Sequence, residues 1–255
     1  MLILLADDDP VQTLLLTTRL KQKGYKVDTA INAVQAWTVA SRRPPDAVIL
    51  DIQMPNGSGY AVLKQMKSSS KTKSIPVIVL SGSINANDKV KLKELGADEF
   101  LDKPVDMTNL FSALSRLLQQ SVETPPETAE PNLALSPALD AAEMLRFVDG
   151  DLNLLRELAA TFWESCPQMM ADVQKGLEGK SPKSLERAAH ALKGSLSYFG
   201  TGLASQSVVK LEALARAGTL EGAEVLFAEL EKGLSDLKVA FDSFEASLGP
   251  AEPSP

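Results

Sequence analysis

The chain has 255 residues, 44% of them hydrophobic and 23% charged, and is long enough for two ordinary domains with separate cores. Its net charge of −7 is uneven, because residues 1–120 carry 15 Lys or Arg against 12 Asp or Glu and residues 121–255 carry 11 against 21. The acidic second half argues against nucleic-acid binding, and the single cysteine, Cys166, excludes an internal disulfide and a cysteine-cluster metal site.

The chain opens on a short apolar run, MLILLA, that has no basic residue before it and leads directly into three aspartates. Such a run is too short for an export signal or a membrane span. We therefore expect a cytoplasmic protein without membrane insertion.

Strand and helix patterns alternate through residues 1–120. Five short apolar or β-branched runs predict strands at 2–6, 26–30, 47–50, 76–80 and 98–101. Helical patterns follow each of them, at about 10–23, 33–42, 58–68, 86–95 and 106–119. The alternation predicts an α/β doubly wound domain, with a parallel five-stranded sheet in the flavodoxin-like order 2-1-3-4-5.

Acidic residues follow two strands that this order places side by side. Asp7 and Asp8 come after strand one, and Asp51 ends strand three in the run AVILD. A single aspartate after a strand is more often a turn or helix-cap residue. Three carboxylates at one edge of a sheet, however, repel each other unless a cation joins them. Because their oxygens suit hard cations, the sequence predicts a Mg²⁺ or Mn²⁺ site.

Two further strand ends add groups of other kinds at the same edge. Ser81 follows strand four in VIVLSGS, and Lys103 follows strand five in DEFLDKP. A hydroxyl, an ammonium group and a metal around one carboxylate supply donors and positive charge to a phosphoryl group. This combination favours phosphoryl chemistry at Asp51.

Four motifs of this half resemble response-regulator receiver domains in order and spacing: ADDDP, LDIQMPNGSG, VLSGS and GADEFLDKP. The resemblance implies that Asp51 is the phosphoacceptor. It implies that Mg²⁺ is bound directly by Asp8, Asp51 and the backbone carbonyl of Gln53, with Asp7 acting through water.

The same resemblance implies roles for residues around the phosphoryl group. Ser81 and Lys103 would contact that group, and Phe100 would be the switch aromatic, acting by packing because it lacks the hydroxyl of tyrosine. The bond between Lys103 and Pro104 is expected to be cis. Asp9 stands where the family often has glutamate, and we expect it to be a bystander near the metal.

Residues 121–137, SVETPPETAEPNLALSP, contain four prolines and three glutamates and predict a linker. The receiver domain would then occupy 1–120 and a helical domain 138–248, followed by a disordered tail at 249–255.

Helical periodicity dominates the second half. It predicts helices at 140–148, 151–177, 182–199, 203–217 and 220–247, with Pro167 as a point where the long helix can kink. We expect an all-α domain built as an antiparallel four-helix bundle.

His190 is the only histidine, and it lies in the third of these helices. The apolar stripe of that helix lies about 140° away from it, which predicts that His190 faces solvent. Lys193, Gly194 and Ser197 share its face. A lone exposed histidine is usually ordinary polar surface, and a metal site is disfavoured because no second histidine is present.

The motif AHALKGSLSYFG resembles histidine-containing phosphotransfer (HPt) domains, and the likeness extends from Leu139 to Leu248. It implies that His190 accepts and donates a phosphoryl group, that Lys193 steers the anion and that Gly194 clears room for it. Glu186 and Ser197 are expected supports of the site.

Together the two halves favour a two-component phosphorelay protein that passes phosphoryl between Asp51 and histidines, with His190 as the second station. We expect a carrier without kinase activity, served by a separate histidine kinase or hybrid kinase and by other receiver or phosphotransfer proteins. One alternative is a phosphorylation-switched binding protein, in which Asp51 controls partner access to the helical domain and His190 is silent. Another is a metal-dependent phosphatase, which Gln53 disfavours because such enzymes usually have a second acid at that position.

Overall fold

The computed structural model describes residues 1–54, 58–82, 86–118 and 139–248. The chain divides into two units, Met1–Pro126 and Glu127–Pro255. The predicted linker at 121–137, the predicted tail at 249–255 and residues 55–57 of the motif LDIQMPNGSG lie outside the described residues. The domain bounds therefore stay predictions.

The first unit is a parallel sheet whose strands alternate with helices. The strands are β1 Leu2–Ala6, β2 Lys26–Ala30, β3 Ala47–Asp51, β4 Val77–Ser81 and β5 Glu99–Asp102. The helices are α1 Pro10–Gln22, α2 Ala33–Arg42, α3 Gly59–Ser68, α4 Ala86–Glu94 and α5 Met107–Leu117. All neighbouring strands pair in parallel in the order β2-β1-β3-β4-β5, which confirms the predicted topology.

The sheet is covered on both faces, as a parallel sheet requires. Alternate residues of the central strands belong to two buried clusters, one packed on α2, α3 and α4 and the other on α1 and α5. Every residue of β3 and of β4 is buried. The polar residues at the ends of these strands therefore emerge together at one edge.

The second unit is helical. Its helices are α6 Ala141–Phe147, α7 Leu152–Glu178, α8 Pro182–Leu196, α9 Leu203–Arg216 and α10 Ala223–Ser247. Helix α7 packs on α8, α8 on α9, α9 on α10 and α10 back on α7, which confirms the predicted bundle. Pro167 lies inside α7, and the helix runs through it. Two approximate predicted ends differ from the structure by three residues, since α8 stops at Leu196 and α10 starts at Ala223, after Gly222 with a φ of 83°.

Candidate functional site

The ends of β1 and β3 bring three carboxylates together. Oxygens of Asp7, Asp8 and Asp51 all lie within 4.8 Å of one another. Asp7 and Asp51 are buried, and Asp8 is partly exposed. The strand order thus produces the acidic cluster that the sequence predicts.

Lys103 enters this cluster from the end of β5. Its Nζ donates to Asp51 Oδ2 at 2.7 Å and to Asp7 Oδ2 at 2.9 Å. Burial lowers the pKa of the Lys103 ammonium, but the two carboxylates outweigh it and raise that pKa above its ordinary value. The Lys103–Pro104 bond is cis, as predicted. One ammonium group is therefore fixed between two buried carboxylates.

A single ammonium group does not balance the charge of three carboxylates. Burial, with a contribution from Asp51 and against the pull of Lys103, raises the pKa of Asp7 to about 7. Burial and Asp51 likewise raise the pKa of Asp8 to about 6. The remaining negative charge and the oxygen-only donor set fit a hard divalent cation.

Asp51 and Asp9 each accept hydrogen bonds from backbone N–H groups that follow them in sequence. Asp51 Oδ1 accepts a bond from the backbone N–H of Gln53 at 2.9 Å, which closes a short turn after β3. Asp9 caps α1, because its Oδ1 accepts from the backbone N–H groups of Val11 and Gln12 at 2.9 and 3.2 Å. Asp9 therefore has a structural role at the start of a helix, and its place as a bystander near the metal stays a prediction.

Two other predicted residues of the first unit lie on β4 and β5. Ser81 is buried as the last residue of β4, and its backbone carbonyl accepts from the N–H of Lys103 at 2.8 Å. Phe100 is partly buried on β5 and packs against the cluster under α2, α3 and α4. Gln12, which sequence analysis missed, is buried on α1 and donates to Asp7 Oδ2 at 2.6 Å.

Removing Lys103 tests the charge balance of this cluster. We expect Lys103→Met to destabilise the first unit by about 3–5 kcal/mol without divalent cations, because the variant leaves buried carboxylates without a counter-charge. This loss of stability should be smaller in acid. The raised pKa values of Asp7 and Asp8 mean that the folded state favours their protonated, uncharged forms, which need no counter-charge. That contribution is present below the ordinary pKa of 3.8 and is lost as the pH rises through about 7.

Each unit has one of the two tryptophans, Trp37 and Trp163, so urea unfolding of a Trp163→Phe background can be followed by Trp37 fluorescence. Measurements at about pH 5 and about pH 8 with a chelator give the comparison. Lys64→Met is the matched control, because Lys64 is exposed on α3. Equal stability of Lys103→Met and Lys64→Met at the higher pH would contradict the prediction.

His190 lies on α8 but is covered by α9. Its side chain is only 16% exposed, and its Nδ1 is 2.7 Å from Glu212 Oε1 of α9. The prediction that His190 faces solvent was wrong. The periodicity of one helix shows where its own apolar stripe lies, but it does not show a neighbouring helix that packs over part of the polar face.

Glu212 is the centre of the histidine site. Its buried carboxylate accepts from Lys193 Nζ and from Arg216 Nη2, each at 2.6 Å. Burial raises its pKa, but the hydrogen bonds from His190 and Lys193 prevail and lower the pKa of Glu212 to about 2. An ionised carboxylate only accepts hydrogen bonds, so we assign the ring proton to His190 Nδ1. His190 Nε2 is then the nitrogen with a free lone pair.

Sequence analysis missed Glu212, although α9 contained a signal for it. The buried stripe of that helix includes Val208, Leu211, Glu212 and Ala215, so one acidic residue occupies a core-facing position. A charged residue in such a stripe requires a partner.

The remaining predicted supports act at a distance from the imidazole. Glu186 Oε1 accepts from Arg216 Nε at 3.0 Å, so it is linked to His190 through Arg216 and Glu212. The hydroxyl of Ser197 donates to the carbonyl of Gly194 at 2.6 Å, at the end of α8.

In the described part of the chain, no helix is both long enough and apolar enough to cross a bilayer.

Comparison with known proteins agrees with this division. Residues 3–115 match the family model of the response regulator receiver domain, and residues 157–240 match that of the Hpt domain.

Three curated relatives illustrate the matches. The DNA-binding dual master transcriptional regulator RpaA of Synechocystis sp. is 30% identical over 123 residues, which are 48% of this chain and 51% of RpaA. The signal transduction histidine-protein kinase BarA of Escherichia coli (strain K12) is 27% identical over 226 residues, which are 87% of this chain and 24% of BarA. Protein PilH of Pseudomonas aeruginosa is 34% identical over 116 residues, which are 46% of this chain and 96% of PilH. The chain thus spans about half the length of RpaA and a quarter of BarA.

Proposed function

Since this chain belongs to the response regulator receiver family over residues 3–115 and has an Hpt domain at 157–240, we propose that it is a phosphoryl carrier of a two-component phosphorelay. One observation carries the proposal. The only histidine of the chain has its Nδ1 held by an ionised carboxylate, which leaves Nε2 available as a nucleophile. An ordinary surface histidine has no need of a buried acidic partner.

In the receiver, an Asp51 carboxylate oxygen attacks the phosphorus of a phosphohistidine. The new O–P bond forms as the N–P bond breaks, and the electron pair returns to the imidazole. Ser81 and Lys103 contact the phosphoryl oxygens, for which Lys103 is already placed at 2.7 Å from Asp51 Oδ2. Phe100 is the aromatic whose packing responds to phosphorylation.

The acidic cluster fits Mg²⁺ or Mn²⁺. Asp8, Asp51 and the backbone carbonyl of Gln53 would hold the ion directly, and Asp7 would act through water. When bound, the cation neutralises charge on the transferring group. Lys103 would add a positive charge to the site and Ser81 a hydrogen-bond donor.

In the Hpt domain, His190 Nε2 is the attacking atom when the histidine accepts phosphoryl and the leaving atom when it donates. Glu212 keeps the Nδ1 proton in place and stabilises the positive charge that develops on the ring. Lys193, one turn from His190, steers the incoming anion, and Gly194 leaves room for it. Arg216 remains on Glu212 Oε1, so this buried carboxylate stays paired when Lys193 turns to the phosphoryl group.

The proposal requires an outside source of phosphate. We propose a separate histidine kinase or hybrid kinase as donor, other receivers or phosphotransfer proteins as exchange partners, and the cytoplasm as location. The receiver would occupy residues 1–120 and the Hpt domain 138–248, joined by the linker at 121–137.

The two kinds of phosphoryl linkage differ in stability, which provides a direct test. Wild-type protein is incubated with a small phosphoramidate donor and Mg²⁺, and the labelled protein is exposed separately to acid and to base. We expect a base-labile acyl phosphate on the first unit and an acid-labile phosphohistidine on the second. Absence of both labels would overturn the proposal, and an acyl phosphate alone would favour the phosphorylation-switched binding protein.

Glu212→Gln is expected to slow phosphorylation of His190 about 10- to 100-fold, by analogy with the loss of the outer hydrogen-bond partner of a metal-binding histidine. It should also change the pH dependence of stability. The lowered pKa of Glu212 contributes stability that is present above the ordinary pKa of 4.5 and is lost as the pH falls through about 2. That contribution is on the order of 3 kcal/mol.

Phosphorylation rates and urea unfolding in a Trp37→Phe background, followed by Trp163, measure both effects. Glu231→Gln is the matched control, because Glu231 is exposed on α10. A variant with the wild-type rate and the wild-type stability slope in acid would show that Glu212 only fills space.

A further inference from the structure

The start of α1 has the residue spacing of a capping motif. Asp9 is the N-cap of the helix and Gln12 is its third residue, the spacing at which a glutamine side chain normally returns to the backbone N–H of the cap. The N–H of Asp9 donates to Asp7 Oδ1 at 2.9 Å, and the Gln12 amide donates to Asp7 Oδ2 at 2.6 Å. Both donors therefore form hydrogen bonds to the Asp7 carboxylate.

Asp7 is consequently held on both oxygens. Oδ2 accepts from Gln12 and from Lys103, and Oδ1 accepts from the N–H of Asp9. The Asp7 side chain is fully buried and Gln12 is 1% exposed, so these bonds are shielded from water. A buried amide is costly without a partner, and a charged acceptor strengthens the bond that it makes. Gln12 therefore restricts how Asp7 can turn.

The other two carboxylates have a different environment. Asp8 is partly exposed, and Asp51 has Oδ1 bonded to the N–H of Gln53 and Oδ2 to Lys103. Asp7 is thus the member of the cluster that receives a side-chain amide in addition to Lys103. A hydrogen bond to a carboxylate oxygen competes with a cation for the same lone pairs.

We infer that Gln12 is a positioning residue of the receiver site, whose amide occupies Asp7 Oδ2 and keeps the Asp7 carboxylate from binding the divalent cation directly. The inference rests on the proposed metal site. It explains why Asp8 and Asp51 would bind the cation directly while Asp7 would act through water: Gln12 on α1 holds the Asp7 carboxylate. By limiting direct carboxylate ligands, Gln12 keeps the cation exchangeable and leaves it a water-bearing position.

Replacement of Gln12 by methionine preserves side-chain length and removes the amide. We expect Gln12→Met to bind Mg²⁺ about tenfold more tightly, because the site gains a direct carboxylate ligand. We also expect bound Mn²⁺ to carry one fewer water, because Asp7 becomes a direct ligand. Calorimetry with Mg²⁺ and water-proton relaxation with Mn²⁺ at about pH 8, above the raised pKa of Asp7, measure the two effects.

Two further variants keep the result interpretable. Gln12→Leu also removes the amide and avoids crowding, and Trp37 fluorescence in a Trp163→Phe background shows whether each variant is folded. Thr13→Val removes a hydroxyl that donates to the Asp7 backbone carbonyl at 3.3 Å, and it should leave both measurements unchanged.

A packing role for Gln12 would leave metal affinity unchanged or weaken it, and either result with unchanged Mn²⁺ hydration would overturn the inference. Failure of the wild type to bind Mg²⁺ would instead overturn the proposed metal site. The two failures are therefore distinguishable.

Discussion

Asp51→Asn is expected to abolish phosphorylation of the receiver while the unit stays folded. The variant keeps the size of the side chain and removes the carboxylate oxygen that we propose as the atom that attacks phosphorus. It also removes one of three clustered acidic groups, so the repulsion around Asp7 and Asp8 falls as Lys103 loses one of its two partners. The reduced repulsion stabilises the fold and the lost partner of Lys103 destabilises it, so the net change in stability is small. The chemical effect, by contrast, is complete loss of the acyl phosphate.

The measurement is the amount of base-labile label after incubation with a phosphodonor and Mg²⁺. Asp28→Asn is the matched control, because it makes the same substitution at a surface residue of β2 that pairs with Arg43 at 3.4 Å. Acyl phosphate that persists at wild-type levels in Asp51→Asn would place the phosphoacceptor elsewhere.

His190→Gln is expected to eliminate phosphohistidine from the protein. The chain has one histidine, so an acid-labile phosphoramidate on histidine has a single possible source. Glutamine has an amide that can donate to Glu212, and the variant should therefore preserve the contact between α8 and α9 that the imidazole makes at 2.7 Å. It lacks a nucleophilic ring nitrogen.

³¹P spectroscopy of the labelled protein separates phosphohistidine from acyl phosphate. In His190→Gln the acyl phosphate of Asp51 should still form from a small donor, which serves as an internal control for folding and metal binding. If phosphoryl transfer from the protein to an isolated partner receiver is undiminished in this variant, His190 is not a relay station.

The alternative of a phosphorylation-switched binding protein makes a different prediction for the variants Asp51→Asn and His190→Gln. Partner binding would then depend on Asp51 and be indifferent to His190 and Glu212. The argument against a silent histidine is that Glu212, whose buried charge is already paired with Lys193 and Arg216, also holds Nδ1 of His190 at 2.7 Å.

Much of the receiver site could be predicted from sequence because it depends on strand ends. Each strand is a short, locally encoded run, and the parallel order brings the residues after β1 and β3 to one edge. Asp7, Asp8 and Asp51 are therefore placed by rules that need no side-chain detail. The helix-capping role of Asp9 was harder to predict, because aspartate occurs both at the end of a strand, as at Asp51, and before the start of a helix, as at Asp9.

The histidine site was only half predictable. The phosphotransfer motif of α8 identifies His190 and Lys193, which are close in sequence and lie on one helix. Glu212 is 22 residues away on α9, and its contact with His190 depends on how two helices pack. Periodicity within α8 alone led to the wrong conclusion that the imidazole faces solvent.

The sequence by itself determined the two-domain architecture, the sheet order and the residue types at the strand ends, because hydrophobic periodicity and chain connectivity act locally. Only the tertiary structure decided which partner each polar side chain takes. It directed Gln12 and Lys103 to Asp7 and bound His190 to Glu212. The reason is physical: a buried polar group pairs with whatever donor or acceptor the packed elements bring within about 3 Å, and that neighbour is set by packing between elements distant in sequence.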